Sequence, residues 1–287
     1  MNVLVTGGSG FIGSHVVDKL IEKGHKVRIL DIESSHLNNV DYINGSILDL
    51  DAVKKATSEV DVIYHFAGVS NIDKVKDNPL ETIDHNILGT ANLLEAARIQ
   101  KVKRFMLAST VYIFERGGHL YTYTKKVSEE LCQYYQEMYL LPYTIMRLAT
   151  AYGPRSRGED VISIFVRNSM EGLPISVKGG GNQIRNFIYV KELAEGCIKA
   201  LSERCENATV TVAGEEKIDI SDLSLLIKTI LNSEVKINIQ SENDRYSDYD
   251  GEIENVHESF KMLDWKPTIN LETGIKKYIN WVKFIEK

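Results

Sequence analysis

The sequence predicts an α/β fold, in which a doubly wound parallel sheet precedes a smaller α+β region. In the first half, short apolar runs alternate with longer stretches whose apolar residues recur at helical spacing. This alternation is typical of strand–helix–strand units with helices on both faces of a parallel sheet. After about Pro154 the alternation loosens, and Gly172, Pro174 and the three glycines at 179–181 interrupt it.

The elements of the first half follow from its apolar pattern. Residues 3–5 form an apolar run that predicts the first strand, and residues 12–23 predict an amphipathic helix that ends at Gly24. The remaining strands of this half are predicted at 26–31, 60–66, 104–108 and 143–148, and its remaining helices at 86–99 and 121–139.

The second half is expected to form most of a separate domain. The chain contains no internal repeat and no low-complexity linker, so we expect its two parts to meet in a packed interface. Residues 1–150 are assigned to the first domain and 151–287 mainly to the second, with a segment at about 183–205 returning to the first. Helices of this half are predicted at 191–202, 220–231 and 271–285.

Composition and charge narrow the class of protein. The chain has 287 residues, of which 43% are hydrophobic and 26% charged, which suits a globular protein with a full core and excludes global disorder. Its formal net charge of −6 disfavours a protein that binds nucleic acid through a broad basic surface. No apolar run approaches the roughly 18 residues of a membrane span, so no membrane association is expected.

Cysteine usage and the N-terminus indicate a cytoplasmic protein without a metal site. Cys132, Cys197 and Cys205 are scattered and lack CxxC spacing, so they predict neither a disulfide framework nor a zinc site. Residues 1–7 have no basic region ahead of an apolar stretch and turn glycine-rich almost at once. They do not look like a secretory signal peptide, and a reducing compartment is expected.

Residues 6–15 read TGGSGFIGSH and link the first predicted strand to the first predicted helix. A glycine-rich turn in this context suits the pyrophosphate of a dinucleotide, because it allows close approach of the backbone and offers the N–H groups of a helix N-terminus. Asp31 ends the second strand, 18 residues after Gly13. A carboxylate there accepts hydrogen bonds from ribose hydroxyls and repels a 2′-phosphate, so NAD is predicted in preference to NADP.

Tyr121 and Lys125 are four residues apart in a predicted helix, so their side chains share one face. A nearby ammonium group and a cationic nicotinamide ring would lower the pKa of the tyrosine, and its phenolate could take a proton from a sugar hydroxyl. This spacing alone is common by chance. Its value lies in its position after Ser109 and Thr110, whose hydroxyl groups could share the proton and polarise the substrate oxygen.

These residues belong to an ordered set of motifs that spans nearly the whole chain. The other members of the set are HFAG at 65–68, NILGTANLLEAAR at 86–98, YTYTKKVSEE at 121–130, RLATAYGPR at 147–155, GGGNQIRNFIYV at 179–190 and LDWKP at 263–267. Together they resemble the extended short-chain dehydrogenase/reductases, and within these the nucleotide-sugar epimerase/dehydratase branch.

The resemblance implies a Rossmann domain that holds NAD and a smaller C-terminal domain that binds a nucleoside-diphosphate sugar, with a UDP-sugar expected first. In such enzymes the sugar is oxidised by the tightly held cofactor, usually at C4, and epimerases return the hydride to the opposite face. The family often forms homodimers through the helix at 121–139 and its predecessor. Carried over by position, the cofactor contacts would be Gly7, Gly10, Phe11, Ile12, Gly13, Asp31, Ile32, Ser46, Ile47, Phe66, Ala67, Gly68, Asn86, Tyr121 and Lys125.

The resemblance also implies which groups react. Tyr121 would be the base, Lys125 would orient the ribose and tune Tyr121, and Thr110 would be their hydroxyl partner. The two arginines of the substrate site would grip the diphosphate, for which the guanidinium fork is suited. The implied substrate contacts are Thr110, Thr150, Arg185 and Arg245.

The sequence departs from the family pattern beside these groups. Members commonly carry two residues between the Ser/Thr and a Val-Tyr pair, whereas here Thr110 runs straight into Val111 and Tyr112. Dehydratases place an Asp-Glu pair in that gap and sugar-acid decarboxylases place a Glu there. Neither is present, and Glu115 stands in a different register. This departure counts against elimination and decarboxylation.

Three further positions differ from the usual residues: Thr150 replaces an Asn, Asn186 an Asp, and Ser46 a frequent Asp. We expect an NAD-dependent epimerase that acts on a nucleoside-diphosphate sugar at C4. Two alternatives stay open. One is a net keto-sugar oxidoreductase of the same fold, and the other is a nucleotide-binding protein whose shortened active-site region impairs catalysis.

Overall fold

The computed structural model describes residues 1–114, 119–240, 253 and 255–285. Within these ranges, a seven-stranded parallel sheet forms the larger part of the molecule. Its strands are β1 (Asn2–Thr6), β2 (Lys26–Asp31), β3 (Asp41–Asn44), β4 (Val62–His65), β5 (Arg104–Thr110), β6 (Tyr143–Leu148) and β10 (Ala208–Val212).

The strand order β10-β6-β5-β4-β1-β2-β3 is that of a doubly wound sheet. β1 and β4 run parallel, and between them the order in which the chain adds strands to the sheet reverses. Because helices cover both faces, the central strands are buried, and all seven residues of β5 are inaccessible. The predicted fold class is confirmed. Ligands of such sheets bind in the crevice at the carboxyl ends of the strands where the order reverses.

Most helices of the larger part bury an apolar face. In α1 (Phe11–Glu22), for example, Val16, Val17 and Leu20 are buried. A π-helical turn at Asp84–Leu88 leads directly into α5. The other helices here are α2 (Leu50–Thr57), α3 (Ile72–Asp77), α4 (Pro79–Ile83), α5 (Gly89–Ile99), α6 (Leu120–Tyr139), α8 (Val190–Lys199) and α10 (Val256–Leu263). The short α3 and α4 pack against α6.

The smaller part has a core of its own, which includes Phe165, Ile227 and Ile275. A three-stranded sheet in the order β11-β9-β7 and a parallel pair of β12 with β8 support it. Its elements are β7 (Thr150–Tyr152), α7 (Val161–Met170), β8 (Ile175–Val177), β9 (Ile184–Tyr189), β11 (Lys217–Asp219), α9 (Ile220–Leu231), β12 (Ile237–Ile239) and α11 (Leu271–Ile285).

Later segments of the chain complete the larger part. Helix α8 packs against α1 and buries Leu193 and Cys197 in its core, and β10 extends the sheet beyond β6. Helix α10 covers β10, where the Thr211 N–H donates a 2.9 Å hydrogen bond to the Ser259 hydroxyl. Strand β9, by contrast, pairs with β7 in the smaller sheet. None of the helices in the described part of the chain has the length and hydropathy that crossing a bilayer requires.

Candidate active site

The glycine loop predicted at residues 6–15 joins β1 to α1. Gly7 has a φ of +70°, and a Cβ there would lie 2.6 Å from the backbone nitrogen of Ala67. A Cβ on Gly13 would lie 2.1 Å from the Gly7 carbonyl oxygen. Both separations are far below van der Waals contact, so the loop keeps this shape only with glycine at these two positions.

The first turn of α1 offers N–H groups to a ligand. Its N-cap is Gly10, and no side chain of the described residues caps it, so the N–H groups of Phe11, Ile12 and Gly13 have no intrahelical partner. The Ser9 hydroxyl is buried and also lacks a hydrogen-bond partner within the described ranges. These donors and the helix dipole suit a bound pyrophosphate.

Asp31 lies at the carboxyl end of β2 and holds the glycine loop in place. One of its carboxylate oxygens accepts a 2.9 Å hydrogen bond from the Ser9 N–H, and the other accepts one of 3.1 Å from the Glu33 N–H. The neighbouring Ile32 side chain is exposed. The carboxylate of Asp31 therefore lies beside the pyrophosphate loop, where the adenosine ribose is expected.

The residues predicted to border the adenine lie between β3 and α2. The Ser46 hydroxyl accepts a 3.2 Å hydrogen bond from the Leu48 N–H and closes a turn. The Ile47 side chain is buried in the core beside Gly89, and its carbonyl accepts a 3.1 Å hydrogen bond from the Asn92 side chain. A contact of Ile47 with adenine would run through its backbone, and the adenine contacts of both residues stay predictions.

Asn86 fixes the loop that follows β4, which carries the predicted cofactor contacts Phe66, Ala67 and Gly68. Its side-chain amide is almost fully buried in the π-helical turn and forms two hydrogen bonds with the backbone of Val69, at 2.8 and 2.9 Å. It also donates a 3.0 Å hydrogen bond to the Thr124 hydroxyl on α6. A Cβ on Gly68 would lie 2.7 Å from the Asn86 amide oxygen. Asn86 thus locks this loop to α6.

Thr110, Tyr121 and Lys125 meet at the carboxyl end of β5. Thr110 is the last residue of that strand, and its side chain is hydrogen-bonded to the Tyr121 phenol. Lys125 lies one turn further along α6, where its Nζ donates a 2.9 Å hydrogen bond to the Ala108 carbonyl. The same Nζ lies 5.9 Å from the centre of the Tyr121 ring. The structure therefore brings together the three side chains that the sequence predicts to take part in the reaction.

Burial controls the protonation of this pair. It raises the pKa of the Tyr121 phenol well above its usual value; the Tyr112 phenol adds to this effect, and the Thr110 hydrogen bond opposes it. The lowering expected from Lys125 together with a cationic nicotinamide ring is not found in the protein alone, where desolvation of the phenolate is the largest influence. Burial also lowers the pKa of Lys125 to about 8, against the opposing influence of Glu129 and Cys132.

Sequence reasoning missed a buried acidic residue behind Lys125. Glu129, one turn further along α6, accepts a 2.5 Å hydrogen bond from the Ser109 hydroxyl. It also accepts two from the Arg147 guanidinium, at 3.1 and 2.7 Å. Its charge favours the protonated form of Lys125. The available signal was a carboxylate four residues after the lysine, on the face of the helix that carries the active site.

The predicted substrate residues lie across from Tyr121. The Thr150 hydroxyl, on β7, is 2.9 Å from the Tyr112 hydroxyl. The guanidinium carbon of Arg185, on β9, lies 5.6 Å from the centre of the Tyr112 ring. Arg245 and Glu115 fall outside the described residues.

Residues 3–214 match the model of the NAD dependent epimerase/dehydratase family. The match covers well over half of the chain. This protein belongs to that family, and the resemblance inferred from its motifs is confirmed.

Individual members of the family are similar over nearly the full length. A Methanocaldococcus jannaschii protein provisionally named a UDP-glucose 4-epimerase is 33% identical, with 98% of each chain covered. A UDP-N-acetyl-alpha-D-glucosaminuronate decarboxylase of Bacillus cytotoxicus is 30% identical over 99% of this chain and 98% of the relative. The crystal structure of a Bacillus cereus UDP-glucuronic acid 4-epimerase with UDP-glucuronic acid and NAD has a TM-score of 0.90 at 25% identity, covering 99% and 100% of the two chains.

The crevice of this family member fits its NAD cofactor. The loop at Gly7 and Gly13 has no room for a Cβ, and the uncapped helix and the Ser9 hydroxyl supply donors that call for an anionic partner. Asp31 stands beside them, and its carboxylate is predicted to accept a hydrogen bond from a ribose hydroxyl. When bound there, NAD supplies the hydride acceptor and donor that the protein's own side chains lack.

Proposed function

We propose that this protein is an NAD-dependent epimerase of a nucleoside-diphosphate sugar, acting at C4 through a keto intermediate. The observation that carries the proposal is the convergence of Thr110, Tyr121 and Lys125 at the carboxyl end of β5, on the same edge of the parallel sheet as the glycine loop after β1. The family model and the 4-epimerases among its relatives support it. The division of the chain near residue 150 into cofactor and substrate parts belongs to the same proposal.

Tyr121 is the group that moves the proton. Its phenolate oxygen accepts the proton of the sugar hydroxyl as the carbon is oxidised, and the resulting phenol returns it when the carbon is reduced from the opposite face. The Thr110 side chain is hydrogen-bonded to the Tyr121 phenol. Its hydroxyl would also hydrogen-bond to the substrate oxygen and so hold that oxygen beside the phenol. The positive charge of Lys125 favours the phenolate, which burial alone disfavours.

Arg185 and Thr150 hold the substrate. A guanidinium on β9 suits one phosphate of a nucleoside diphosphate, and the hydroxyl on β7 suits the sugar. Arg245 is proposed as a second diphosphate ligand on sequence grounds. A UDP-sugar is the first substrate to test, since the relatives just described carry UDP in their names.

The segment after Thr110 argues against elimination and decarboxylation. The chain passes directly from β5 into a 3₁₀ turn at Val111–Phe114, and none of these four residues carries a carboxylate. A dehydratase needs an acid and a base there in addition to the tyrosine, by the family pattern given above. The polar side chains at residues 109–114 are hydroxyl groups only. Together with Tyr121 they suit the transfer of one proton to and from a sugar hydroxyl, which epimerisation requires.

The protein is proposed to form a homodimer in the cytoplasm. Large apolar side chains are exposed along α6 and at the end of α5: Ile99, Tyr134, Met138 and Tyr139. Tyr134 and Met138 are one turn apart and share a face, which fits a helix-to-helix interface. The free, buried thiols of the three cysteines fit a reducing compartment.

The proposal is tested by separating the products that the NAD-loaded protein forms from UDP-, GDP- and dTDP-sugars. We expect interconversion of two C4 epimers without accumulation of NADH, and no such conversion by Tyr121→Phe. Release of carbon dioxide or loss of water would identify a decarboxylase or a dehydratase. Stoichiometric consumption of a nicotinamide cofactor would identify a net oxidoreductase, and NAD binding without turnover a non-catalytic protein.

A further inference from the structure

Tyr112 lies at the centre of the substrate side of the site, although no role follows for it from the reaction described above. It is the second residue of the 3₁₀ turn that begins directly after Thr110, and its N–H donates a 3.2 Å hydrogen bond to the Thr110 hydroxyl. Because no residues intervene between strand and turn, the side chain stays above the end of β5. Tyr112 is partly exposed.

Three contacts connect Tyr112 to the groups that would meet the substrate. Its hydroxyl pairs with that of Thr150 at 2.9 Å. Its ring lies under the Arg185 guanidinium at 5.6 Å, within the range in which a cation is attracted to an aromatic face. Its phenol is close enough to Tyr121 to disfavour the phenolate there. One side chain thus contacts both proposed substrate ligands and adjoins the proposed base.

We propose that Tyr112 is a substrate-positioning and specificity-determining residue, whose ring supports Arg185 against the diphosphate and whose hydroxyl, paired with Thr150, contacts the sugar beside Tyr121. This inference rests on the proposed function. The ring and the hydroxyl have separable roles. The ring acts on the nucleoside diphosphate, which every substrate shares, and the hydroxyl acts on the sugar, which differs between substrates.

The chemistry of the two hydroxyls supports a sugar contact. Both hydroxyls can donate and accept hydrogen bonds, and the Thr150 hydroxyl can accept two, so it can bond to a sugar hydroxyl as well as to Tyr112. A sugar ring presents hydroxyl groups with the same dual capacity. If a substrate placed an apolar substituent against this pair in place of a sugar hydroxyl, the pair would lose that hydrogen bond. The pair would therefore discriminate strongly between such substrates.

The test compares Tyr112→Phe, Tyr112→Leu and Thr150→Val in the NAD-loaded, full-length protein. UDP alone is the first probe, with calorimetry as the measurement. Tyr112→Leu should bind UDP roughly threefold to thirtyfold more weakly, since a cation–aromatic contact is lost, whereas Tyr112→Phe should bind within twofold of wild type. Tyr123→Leu and Tyr123→Phe, on an exposed tyrosine of α6, are matched controls and should leave UDP binding unchanged.

Turnover of the UDP-sugar is the second readout. Tyr112→Phe and Thr150→Val should each raise KM several-fold more than they lower kcat, and the double variant should lose no more than the worse single variant, because both remove one paired contact. Unaltered UDP binding by a folded Tyr112→Leu variant would overturn the role of the ring. Unaltered KM for Tyr112→Phe, or fully additive losses in the double variant, would overturn the role of the hydroxyl.

The outcome separates this inference from the proposed function. If the wild-type protein bound none of UDP, GDP and dTDP, the nucleoside-diphosphate substrate would be refuted, and the inference with it. If the wild type bound UDP and turned over a UDP-sugar while all three variants behaved as wild type, the proposed function would stand and the inference alone would fall. Variants that melt at the wild-type temperature are compared, so misfolding does not imitate either result.

Discussion

The ammonium group of Lys125 donates a 2.9 Å hydrogen bond to the carbonyl oxygen of Ala108, two residues before Thr110 on β5. This bond ties α6 to the end of the strand at the point where Thr110 meets Tyr121. Because the ammonium group is buried, its pKa lies below the usual value for lysine. The first prediction follows from that charge.

Lys125 should make stability depend on pH. Burial lowers the pKa of Lys125 to about 8 in the folded protein, below its value of about 10.5 in an unfolded chain. Between these pH values the unfolded state binds more protons, so the free energy of unfolding should rise with pH, by at most about 3 kcal/mol. Urea titrations of wild type and Lys125→Met at pH 7, 8.5 and 10 measure the difference between them. A parallel pH dependence in both proteins would contradict a buried, charged Lys125.

The glycine loop should respond to methyl groups in a graded way. A Cβ on Gly13 meets the Gly7 carbonyl at 2.1 Å, whereas one on Gly10 meets it at 3.2 Å. Gly13→Ala should therefore lower NAD affinity by more than about tenfold, and Gly10→Ala much less. Gly24→Ala is the control, because its φ is +79° but its Cβ meets nothing. It should cost about 1 kcal/mol of stability and leave NAD affinity unchanged. Equal NAD affinities in Gly13→Ala and Gly24→Ala would refute the role of the glycine loop in NAD binding.

Asn86 should stabilise the protein more than an ordinary asparagine. Removing its amide leaves the part-buried N–H and carbonyl of Val69 without this partner and takes one hydrogen bond from the buried Thr124 hydroxyl, which keeps its bond to the Tyr121 carbonyl, so Asn86→Ala should cost about 2–3 kcal/mol and weaken NAD binding. Asn92→Ala loses a single 3.1 Å hydrogen bond to Ile47 and should cost about 1 kcal/mol. Denaturation midpoints and NAD titrations check both. Asn86 would have no special role if the two variants lost the same stability and affinity.

We expect the exposed face of α6 to form the dimer interface. Met138 is 58% exposed one turn after Tyr134, and a lysine there would place a charge in the middle of an apolar interface. We expect Met138→Lys to sediment as a monomer and wild type as a dimer. Leu225→Lys, at a 52% exposed position on α9, is the matched control and should stay dimeric. A monomeric wild type, or dimers in all three proteins, would place the interface elsewhere or exclude it.

The larger part of the fold was predictable because its signals are local. A buried parallel strand reads as an apolar run, and β2 and β6 begin and end at the predicted residues. The glycine loop needs only neighbouring residues to adopt its shape. The smaller part was harder, because strands of three residues such as β7, β8 and β12 are too short to show a periodic pattern.

Site residues on one segment could be predicted from the sequence. Residues whose role depends on contacts between several segments could not. Tyr121 and Lys125 share a helix, so their spacing places them together. Glu129, by contrast, acquires its role from Arg147 on β6 and Ser109 on β5. Tyr112 likewise depends on strands that are distant in sequence. In the protein alone the pKa of Tyr121 is raised, because spacing shows which charges are near but not how much water is excluded. The lowering by Lys125 together with a bound nicotinamide ring stays a prediction.

The most direct test of an epimerase that works through Tyr121 is the fate of a label at C4. A UDP-hexose carrying deuterium at C4 is incubated with the NAD-loaded protein in ordinary water, and both epimers are recovered and analysed by NMR. We predict that the new epimer retains deuterium at C4, with no NADH left behind, and that Tyr121→Phe forms it at least about a hundredfold more slowly. Loss of the label to solvent, or a Tyr121→Phe variant as fast as wild type, would contradict the proposed reaction.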